Sequence, residues 1–239
     1  MSSKAKVNKK PQKSYGQQFD ELFKSLCSSR AKYTTWDDCM HLWAYSIANG
    51  CDYRQDRESK YLAIISKYTK DEVDKITQLF ALLVMVLEEN REQDFLGQLY
   101  MDYAFGDNKK GEYFTPYNVA SMMGRIVGSN QDEERGYVTV ADHTCGSGAM
   151  LIAYINSLIE DGHSPHTKAL IVGVDSNPCI AMMCYIQLSL LGAAGYVCVR
   201  NSLTEPLTGN ALHPPEDAFV APMLVLQPIW QFRKLIGRT

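Results

Sequence analysis

The most constraining feature of this chain is a β-branched run that meets a glycine turn and then a helical pattern. The run YVTVADHTCGSG begins at Tyr137 and leads into MLIAYINSLIEDG. A second segment, ALIVGVDSNPCIAMMCYIQLSLLG, repeats the order of strand, acidic turn and helix, and GYVCVRNSL adds a third strand. Strands that alternate with helices are typical of βαβ units. We therefore predict an α/β fold with a parallel, doubly wound sheet, whose strands lie near 137–141, 170–174, 196–200 and 223–227.

The first half of the chain has the spacing of amphipathic helices. Apolar residues recur every three or four positions in four segments, which begin near residues 14, 34, 70 and 94. In the second segment, Thr35 and Asp38 form a capping pattern that predicts a helix start. The aromatic and methionine side chains of these segments are predicted to form a core. The predicted divisions are a basic tail over 1–13, a helical domain over 14–103 and an α/β domain over 104–239.

The tail concentrates positive charge on a chain that is otherwise acidic. Residues 1–13 contain five lysines and no acidic residue, so the net charge of −3 leaves −8 on the remainder. The tail is predicted to be a disordered, solubilising arm, and the alternative is an electrostatic contact to nucleic-acid phosphates. An acidic body is not typical of a strong stand-alone DNA binder.

Composition excludes several classes of protein. With 46% hydrophobic and 21% charged residues, the 239-residue chain resembles an ordinary globular protein. No apolar run approaches the roughly 20 residues that span a bilayer, and the N-terminus has no secretory signal pattern. We expect a cytoplasmic protein without a membrane segment. The seven cysteines lack paired CxxC spacing, which predicts free thiols and no metal site.

The turn after the first predicted strand suggests a ligand site. Gly146 and Gly148 allow a sharp turn and a close approach of the backbone to a ligand. The helix that follows presents its free N–H groups to that ligand. A single Gly-x-Gly is weak evidence, because a plain strand-to-helix turn also explains it.

Polar residues at the ends of the next two strands strengthen this interpretation. Asp175 follows the second strand, where an acid can accept hydrogen bonds from both ribose hydroxyls of a nucleoside cofactor. Alternatively, Asp175 or Ser176 caps the helix that begins near Pro178. Asn201 and Ser202 follow the third strand and can face an adenine edge.

Four segments together resemble one family, the N6-adenine DNA methyltransferases of the type I restriction-modification kind. The stretch from Asp94 to Met123 contains Phe114-Thr115-Pro116, which is similar to the family's Phe/Tyr-Thr-Pro element. DHTCGSGAMLI resembles its Asp-Pro-x-Cys-Gly-Ser-Gly loop, with His143 where proline is usual. GVDSNP resembles its ribose-binding turn, and RNSL its Gly-Asn/Asp-Ser-Leu element. The resemblance covers about residues 94 to 230.

The resemblance implies a Rossmann-like fold, S-adenosylmethionine as cofactor and DNA with a target adenine as substrate. Thr115 would lie near the methionine part of the cofactor. The residues implied to line its amino-acid moiety are Asp142, Thr144, Gly146 and Gly148. Asp175 would hold the ribose, and Asn201 and Ser202 would border the adenine.

The resemblance also implies a catalytic element in LVLQPIW, where the family has Asn/Asp-Pro-Pro-Tyr/Phe after its fourth strand. Gln227 would accept hydrogen bonds from the exocyclic amine of a flipped-out adenine, beside Pro228, and Trp230 would stack on the base. Glutamine is longer than asparagine by one methylene, which displaces the acceptor oxygen by about 1 Å. HPPE, at 213–216, is an alternative, but no strand precedes it and we interpret it as a loop.

Two hypotheses on function follow. Only about four of the family's seven strands fit before Thr239, so a DNA adenine-N6 methyltransferase would need a second copy or a specificity subunit. The alternative is a catalytically impaired S-adenosylmethionine-binding protein that acts as a regulator or as a restriction-modification decoy. A methyltransferase for a small metabolic substrate is a more distant hypothesis.

Overall fold

Eleven α-helices and four strands make up the described part of the chain, which covers residues 13–105, 114–127 and 135–236 of a computed structural model. The helices are α1 Tyr15–Leu26, α2 Lys32–Cys51, α3 Gln55–Ile65, α4 Lys70–Glu89, α5 Phe95–Asp102, α6 Tyr117–Val127, α7 Ala149–Glu160, α8 Pro165–Lys168, α9 Pro178–Leu190, α10 Pro222–Leu226 and α11 Pro228–Ile236. The strands are β1 Val138–Asp142, β2 Ala169–Asp175, β3 Gly195–Val199 and β4 Phe219–Val220. All but the last residue of the predicted tail, 1–13, lies outside these ranges.

Local capping sets the start of two helices in the first half. Ser14 forms a capping box with Gln17 at the start of α1, and Thr69 forms one with Glu72 at the start of α4. The predicted capping role of Thr35 is wrong, because α2 already begins at Lys32 and Thr35 lies within it. Its hydroxyl donates to the carbonyl oxygen of Ala31, 3.1 Å away, one turn earlier.

The sheet confirms the predicted α/β fold. Its strand order is β1-β2-β3-β4, and β1, β2 and β3 run parallel. Helix α7 lies between β1 and β2 in the chain, and α9 lies between β2 and β3. Because the three strands run in one direction, their carboxyl ends meet at one edge of the sheet. The glycine loop and Asp175 both lie at this edge.

The predicted fourth strand, near 223–227, is wrong. This segment forms α10, and the two-residue strand β4 before it pairs antiparallel with β3. Pro222 is the first residue of α10 and Pro228 the first of α11, where the fixed φ of proline favours a helix start and no N–H is lost. A proline is also unsuited to a central strand, since it cannot donate to the ladder.

The helices of the first half and the sheet share one apolar core. Helix α9 is buried on all sides, and it packs against α2 as well as against β2 and β3. Trp36 of α2 and Tyr185 of α9 belong to the same cluster of buried side chains. The division into 14–103 and 104–239 therefore stays a prediction. It divides the chain in sequence, whereas the apolar core is continuous across it.

All seven cysteines are free thiols, as predicted. In the ranges described above, no helix has both the length and the apolar character that a bilayer crossing requires.

Candidate functional site

The loop after β1 is a tight turn that opens a helix N-terminus. Gly146 and Gly148 have φ values of +55° and +100°, in the left-handed region that glycine adopts without strain. Gly148 is the N-cap of α7 and supplies no side-chain cap. The loop is held from within by Asp142, whose Oδ1 accepts from the N–H of Thr144 at 3.0 Å. The N-terminus of α7 has N–H groups that the helix itself does not satisfy, as at any helix start.

The Asp175 carboxylate joins the loops that follow β1 and β2. Its Oδ2 accepts from the N–H of Gly146 at 3.0 Å, and its Oδ1 accepts from the N–H of Asn177 at 2.8 Å. The N-cap of α9 is Asn177, whose side chain accepts from the N–H of Cys179 at 3.1 Å. Neither Asp175 nor Ser176 is therefore the cap, so the helix-cap alternative is wrong, and the ribose role of Asp175 stays a prediction.

A cavity of about 220 Å³ adjoins this loop. Its lining residues are Phe114, Thr115, Asp142, Thr144, Cys145, Gly146, Ser147, Ala149 and Met150. A Cβ at position 146 would come within 3.3 Å of the Phe114 ring, so a side chain there would fill the space beside the loop. Four of the predicted cofactor residues line the cavity, and Gly148 lies just behind it as the helix cap. The loop, the helix N-terminus and the acid at the tip of β2 suit the amino-acid and ribose parts of S-adenosylmethionine.

Asn201 and Ser202 lie at the same edge of the sheet, beyond the end of β3. The N–H of Arg200 donates to the carbonyl oxygen of Asp175 at 3.0 Å, which ties the end of β3 to the tip of β2. Asn201 is exposed, and its Oδ1 accepts from the N–H of Leu203 at 3.0 Å. These two residues do not line the 220 Å³ cavity, and their place beside an adenine stays a prediction.

A comparison with family models agrees with this geometry. The model described as N-6 DNA Methylase matches residues 91–221, which is more than half of the chain. The chain belongs to the N-6 DNA methylase family. Its fold is accordingly the Rossmann-like fold of S-adenosylmethionine-dependent methyltransferases, with helices added at the N-terminal side.

Comparisons with individual proteins add little beyond the family. A crystal structure of a Listeria monocytogenes protein assigned to the class I S-adenosylmethionine-dependent methyltransferases is similar to this chain, with 14% sequence identity and a TM-score of 0.48. The match covers 83% of this chain and 56% of that one, so the chain spans little more than half of the bacterial protein. No curated protein matches the chain.

The residues predicted to be catalytic do not lie at the cavity. Gln227 is the C-cap of α10, and its side chain contacts only Met223 Sδ, at 3.8 Å, among the hydrogen bonds of the described residues. Trp230 is 0% exposed, and its indole N–H donates to the carbonyl oxygen of His166 at 2.6 Å. A fully buried ring cannot stack on a DNA base. The stacking role assigned to Trp230 is therefore wrong.

The described C-terminal segment, residues 221–236, runs along the opposite edge of the sheet, at the amino ends of the strands. The N–H of Ala221 donates to the carbonyl oxygen of Gly195, at the start of β3, at 2.9 Å. His166, which Trp230 contacts, precedes β2, and the Arg233 guanidinium donates to Gly136, which precedes β1, at 3.0 Å. Gln227 and Pro228 lie between these contacts. The segment 227–230 thus lies at the edge of the sheet opposite the glycine loop, where it cannot take part in a reaction at that loop.

The residues that sequence reasoning missed lie behind the glycine loop. Asp94, the N-cap of α5, is 5% exposed and accepts a hydrogen bond from the Ser147 hydroxyl. Gln187 of α9 is 0% exposed and donates from Nε2 to Asp94 Oδ1 at 2.8 Å. Burial raises the pKa of Asp94, and the hydrogen bonds from Gln187 and Ser147 oppose that rise. The only local feature of the sequence that points to these residues is the spacing of Asp94 and Gly97 in the segment DFLG.

The cysteine of the glycine loop lies against a second cysteine. Cys145 and Cys184 are both buried, and their thiols contact one another. The hydrogen bond with Cys145, followed by burial, raises the pKa of Cys184 well above its ordinary value. These two side chains pack the loop against α9.

Proposed function

We propose that this chain is the S-adenosylmethionine-binding part of a DNA methyltransferase that acts on N6 of adenine in a restriction-modification system in the cytoplasm. The observation that supports this best is the Asp175 carboxylate. Its Oδ2 accepts from the N–H of Gly146, a residue that lines the 220 Å³ cavity, and so links that loop to the tip of β2. Membership of the N-6 DNA methylase family supports the same cofactor and acceptor.

Each part of the site has a binding task in this proposal. The cofactor supplies an electrophilic methyl group on its sulfonium sulfur. The N-terminus of α7 and the N–H groups around Gly146 bind the carboxylate of its amino-acid part. In this proposal Asp175 also accepts hydrogen bonds from the ribose hydroxyls, and Asn201 and Ser202 border the adenine. Thr115, in the cavity wall, contacts the methionine chain.

The acceptor adenine needs residues that the described chain does not place at this edge of the sheet. The segment with Gln227, Pro228 and Trp230 is bound to the opposite edge. In our proposal the residues that flip and hold the adenine come from a second copy or from a specificity subunit. The DNA contact of the complete assembly comes from the same source, with the basic tail over 1–13 as an additional phosphate contact.

The buried position of Trp230 also favours a second candidate function. A chain that holds S-adenosylmethionine but lacks an acceptor site acts as a regulator or as a decoy for restriction-modification partners. Both candidates require the cofactor. They differ in whether any partner restores methyl transfer.

Cofactor binding is tested by calorimetry with S-adenosylmethionine on the whole chain. We expect Asp175→Ala to weaken binding by about 1.5–3 kcal/mol, the usual range for hydrogen bonds to a charged group. Asp161→Ala is the matched control, because Asp161 follows the far end of α7 and should leave affinity unchanged. A wild-type chain with no measurable affinity would remove the cofactor assignment.

The two candidates are separated by transfer of labelled methyl groups to adenine in DNA, with and without candidate partner subunits. We expect no transfer by the isolated chain and measurable transfer once a specificity subunit is added. The double variant Gln227→Asn with Ile229→Pro should gain nothing, since it restores the tetrapeptide at the wrong edge. Absence of transfer with every partner, together with normal cofactor binding, would favour the regulator or decoy.

A further inference from the structure

A carboxylate is buried directly behind the glycine loop, and in the described part of the chain no lysine or arginine pairs with it. Asp94 is 5% exposed, and its hydrogen-bond partners are neutral groups only. An unpaired buried charge costs several kcal/mol unless donors replace water. A fold keeps such a group only where those donors are in place, so the surroundings of Asp94 are specifically built.

Both carboxylate oxygens of Asp94 accept hydrogen bonds from buried donors. Oδ1 accepts from the N–H of Gly97 at 3.0 Å and from Gln187 Nε2 at 2.8 Å, and Oδ2 accepts from the Ser147 hydroxyl. Gln187 is itself satisfied, because its Oε1 accepts from the N–H of Leu96 at 3.1 Å and its Nε2 also donates to the Ser147 carbonyl at 3.0 Å. Three segments that are distant in sequence thus form one hydrogen-bond network, and every residue in it is buried.

Position 97 must be glycine for this network to form. A Cβ there would overlap Asp94 Oδ2 and the Ser147 hydroxyl. Gly97 lies inside α5 and does not need a left-handed backbone, so its role is to leave room for these two side chains. Glycine is less favourable than alanine inside a helix, so its presence here is explained by the space that it leaves.

The network acts on the part of the loop that faces the cavity. Ser147 lies between Gly146, whose N–H is bound to Asp175, and Gly148, the cap of α7. Its side chain and its carbonyl oxygen are both held from behind, so the loop backbone cannot rotate away from the cavity. We propose that Asp94, Ser147 and Gln187 form a brace that fixes the glycine loop for S-adenosylmethionine, with Asp94 as the positioning residue. This inference rests on the proposed cofactor.

The brace predicts a specific set of cofactor affinities. Asp94→Ala should weaken S-adenosylmethionine binding about 10-fold, because the loop must then be ordered by the ligand itself. Asp94→Asn should restore most of the affinity, since its amide oxygen can accept from Gly97 and Gln187 while its amide nitrogen donates to the Ser147 oxygen. Ile76→Ala, in α4, should lower the melting temperature and leave the affinity unchanged.

A double-mutant cycle tests whether Asp94 and Ser147 act as one unit. Ser147→Ala alone should weaken binding by a similar factor, and the double variant Asp94→Ala with Ser147→Ala should be hardly worse than either single variant. Additive losses would mean that the two residues act separately, and would overturn the brace.

Amide hydrogen exchange of residues 143–148, measured without cofactor, gives a readout that does not depend on binding. Ser147→Ala removes one hydroxyl and should fold even if Asp94→Ala does not. We expect faster exchange in this loop for Ser147→Ala and unchanged exchange for Ile76→Ala. Unchanged loop exchange in Ser147→Ala would refute the brace. A wild type that binds no cofactor would refute the proposed function, while the exchange result would still decide the brace.

Discussion

At the scale of single residues, Trp230 stabilises the edge of the sheet at the amino ends of the strands. Its ring is buried against Tyr137 at 5.2 Å between centroids, and the Arg233 guanidinium lies 4.5 Å from the ring centroid. The indole N–H satisfies the His166 carbonyl oxygen ahead of β2. Trp230 therefore connects the chain end to the segments that enter β1 and β2.

Trp230→Phe should lower the free energy of unfolding by about 1–3 kcal/mol, the cost of leaving a buried acceptor without its donor. S-adenosylmethionine affinity should stay at the wild-type value, because the ring lies at the opposite edge from Gly146. Urea denaturation and calorimetry measure the two quantities. If the variant lost S-adenosylmethionine affinity and kept its stability, Trp230 would instead belong to a ligand site.

The site residues also show what a sequence reveals at this scale. Gly146 and Asp175 were predictable, because each belongs to a short segment whose chemistry is local. Asp94 pairs with Ser147 and Gln187 across 53 and 93 residues, and no local pattern specifies such a pairing. A buried polar network depends on the assembled fold, so it was found only in the structure.

At the scale of secondary-structure elements, an ion pair ties the segment between α1 and α2 to the start of α4. Arg30 donates from Nε to Glu72 at 2.8 Å, and its Nη2 also reaches the Lys67 carbonyl oxygen at 2.6 Å. The hydrogen bonds from Arg30, followed by the one from the Thr69 N–H, lower the pKa of Glu72 from 4.5 to about 2. The pair joins the end of the first helical segment to the start of α4.

Glu72→Gln should destabilise the chain at neutral pH, and the difference from wild type should vanish in acid. A folded pKa below the unfolded value adds stability above pH 4.5, and this stability is lost as the pH falls toward 2. Glutamine keeps the capping box with Thr69, so the variant isolates the contact to Arg30. Melting temperatures over a pH series measure the effect, and a constant difference down to pH 2 would contradict this assignment.

Element types were predictable where the periodicity was long. The helices α1, α4, α7 and α9 and the strands β1 to β3 all agree with their apolar patterns. The run Leu224-Val225-Leu226 was misread as a strand, because a short apolar run fits a strand and a buried helical turn equally well. Helix α3 was missed because its apolar side chains that pack against the core, Tyr61, Ile64 and Ile65, are confined to its last turns, and its one buried residue is Arg57.

At the scale of the whole molecule, the helical first half depends on the second half for its core. Helix α2 buries Trp36, Met40 and Trp43, and the face it turns toward the sheet is covered by α9. A boundary near residue 103 therefore separates the chain in sequence without separating two cores.

A fragment of residues 14–103 should not fold cooperatively. Without α9, one face of α2 is exposed to water, and the remaining helices bury too little apolar surface to offset the entropy of ordering. Near-ultraviolet circular dichroism and a thermal scan should show helical content without fixed aromatic packing. A sharp unfolding transition of the fragment would establish 14–103 as an independent domain.

The contact between α2 and α9 has a consequence for the order of events during synthesis. The ribosome completes α2 early and adds α9 only after α3 to α8 have emerged. At about 5–20 residues per second, the apolar face of α2 waits roughly ten seconds for its partner. During that interval a nascent chain exposes tryptophan and methionine side chains that another nascent chain can bind. Slower translation would lengthen this interval, and recombinant yield should therefore depend on chaperone supply more than on the stability of the finished protein.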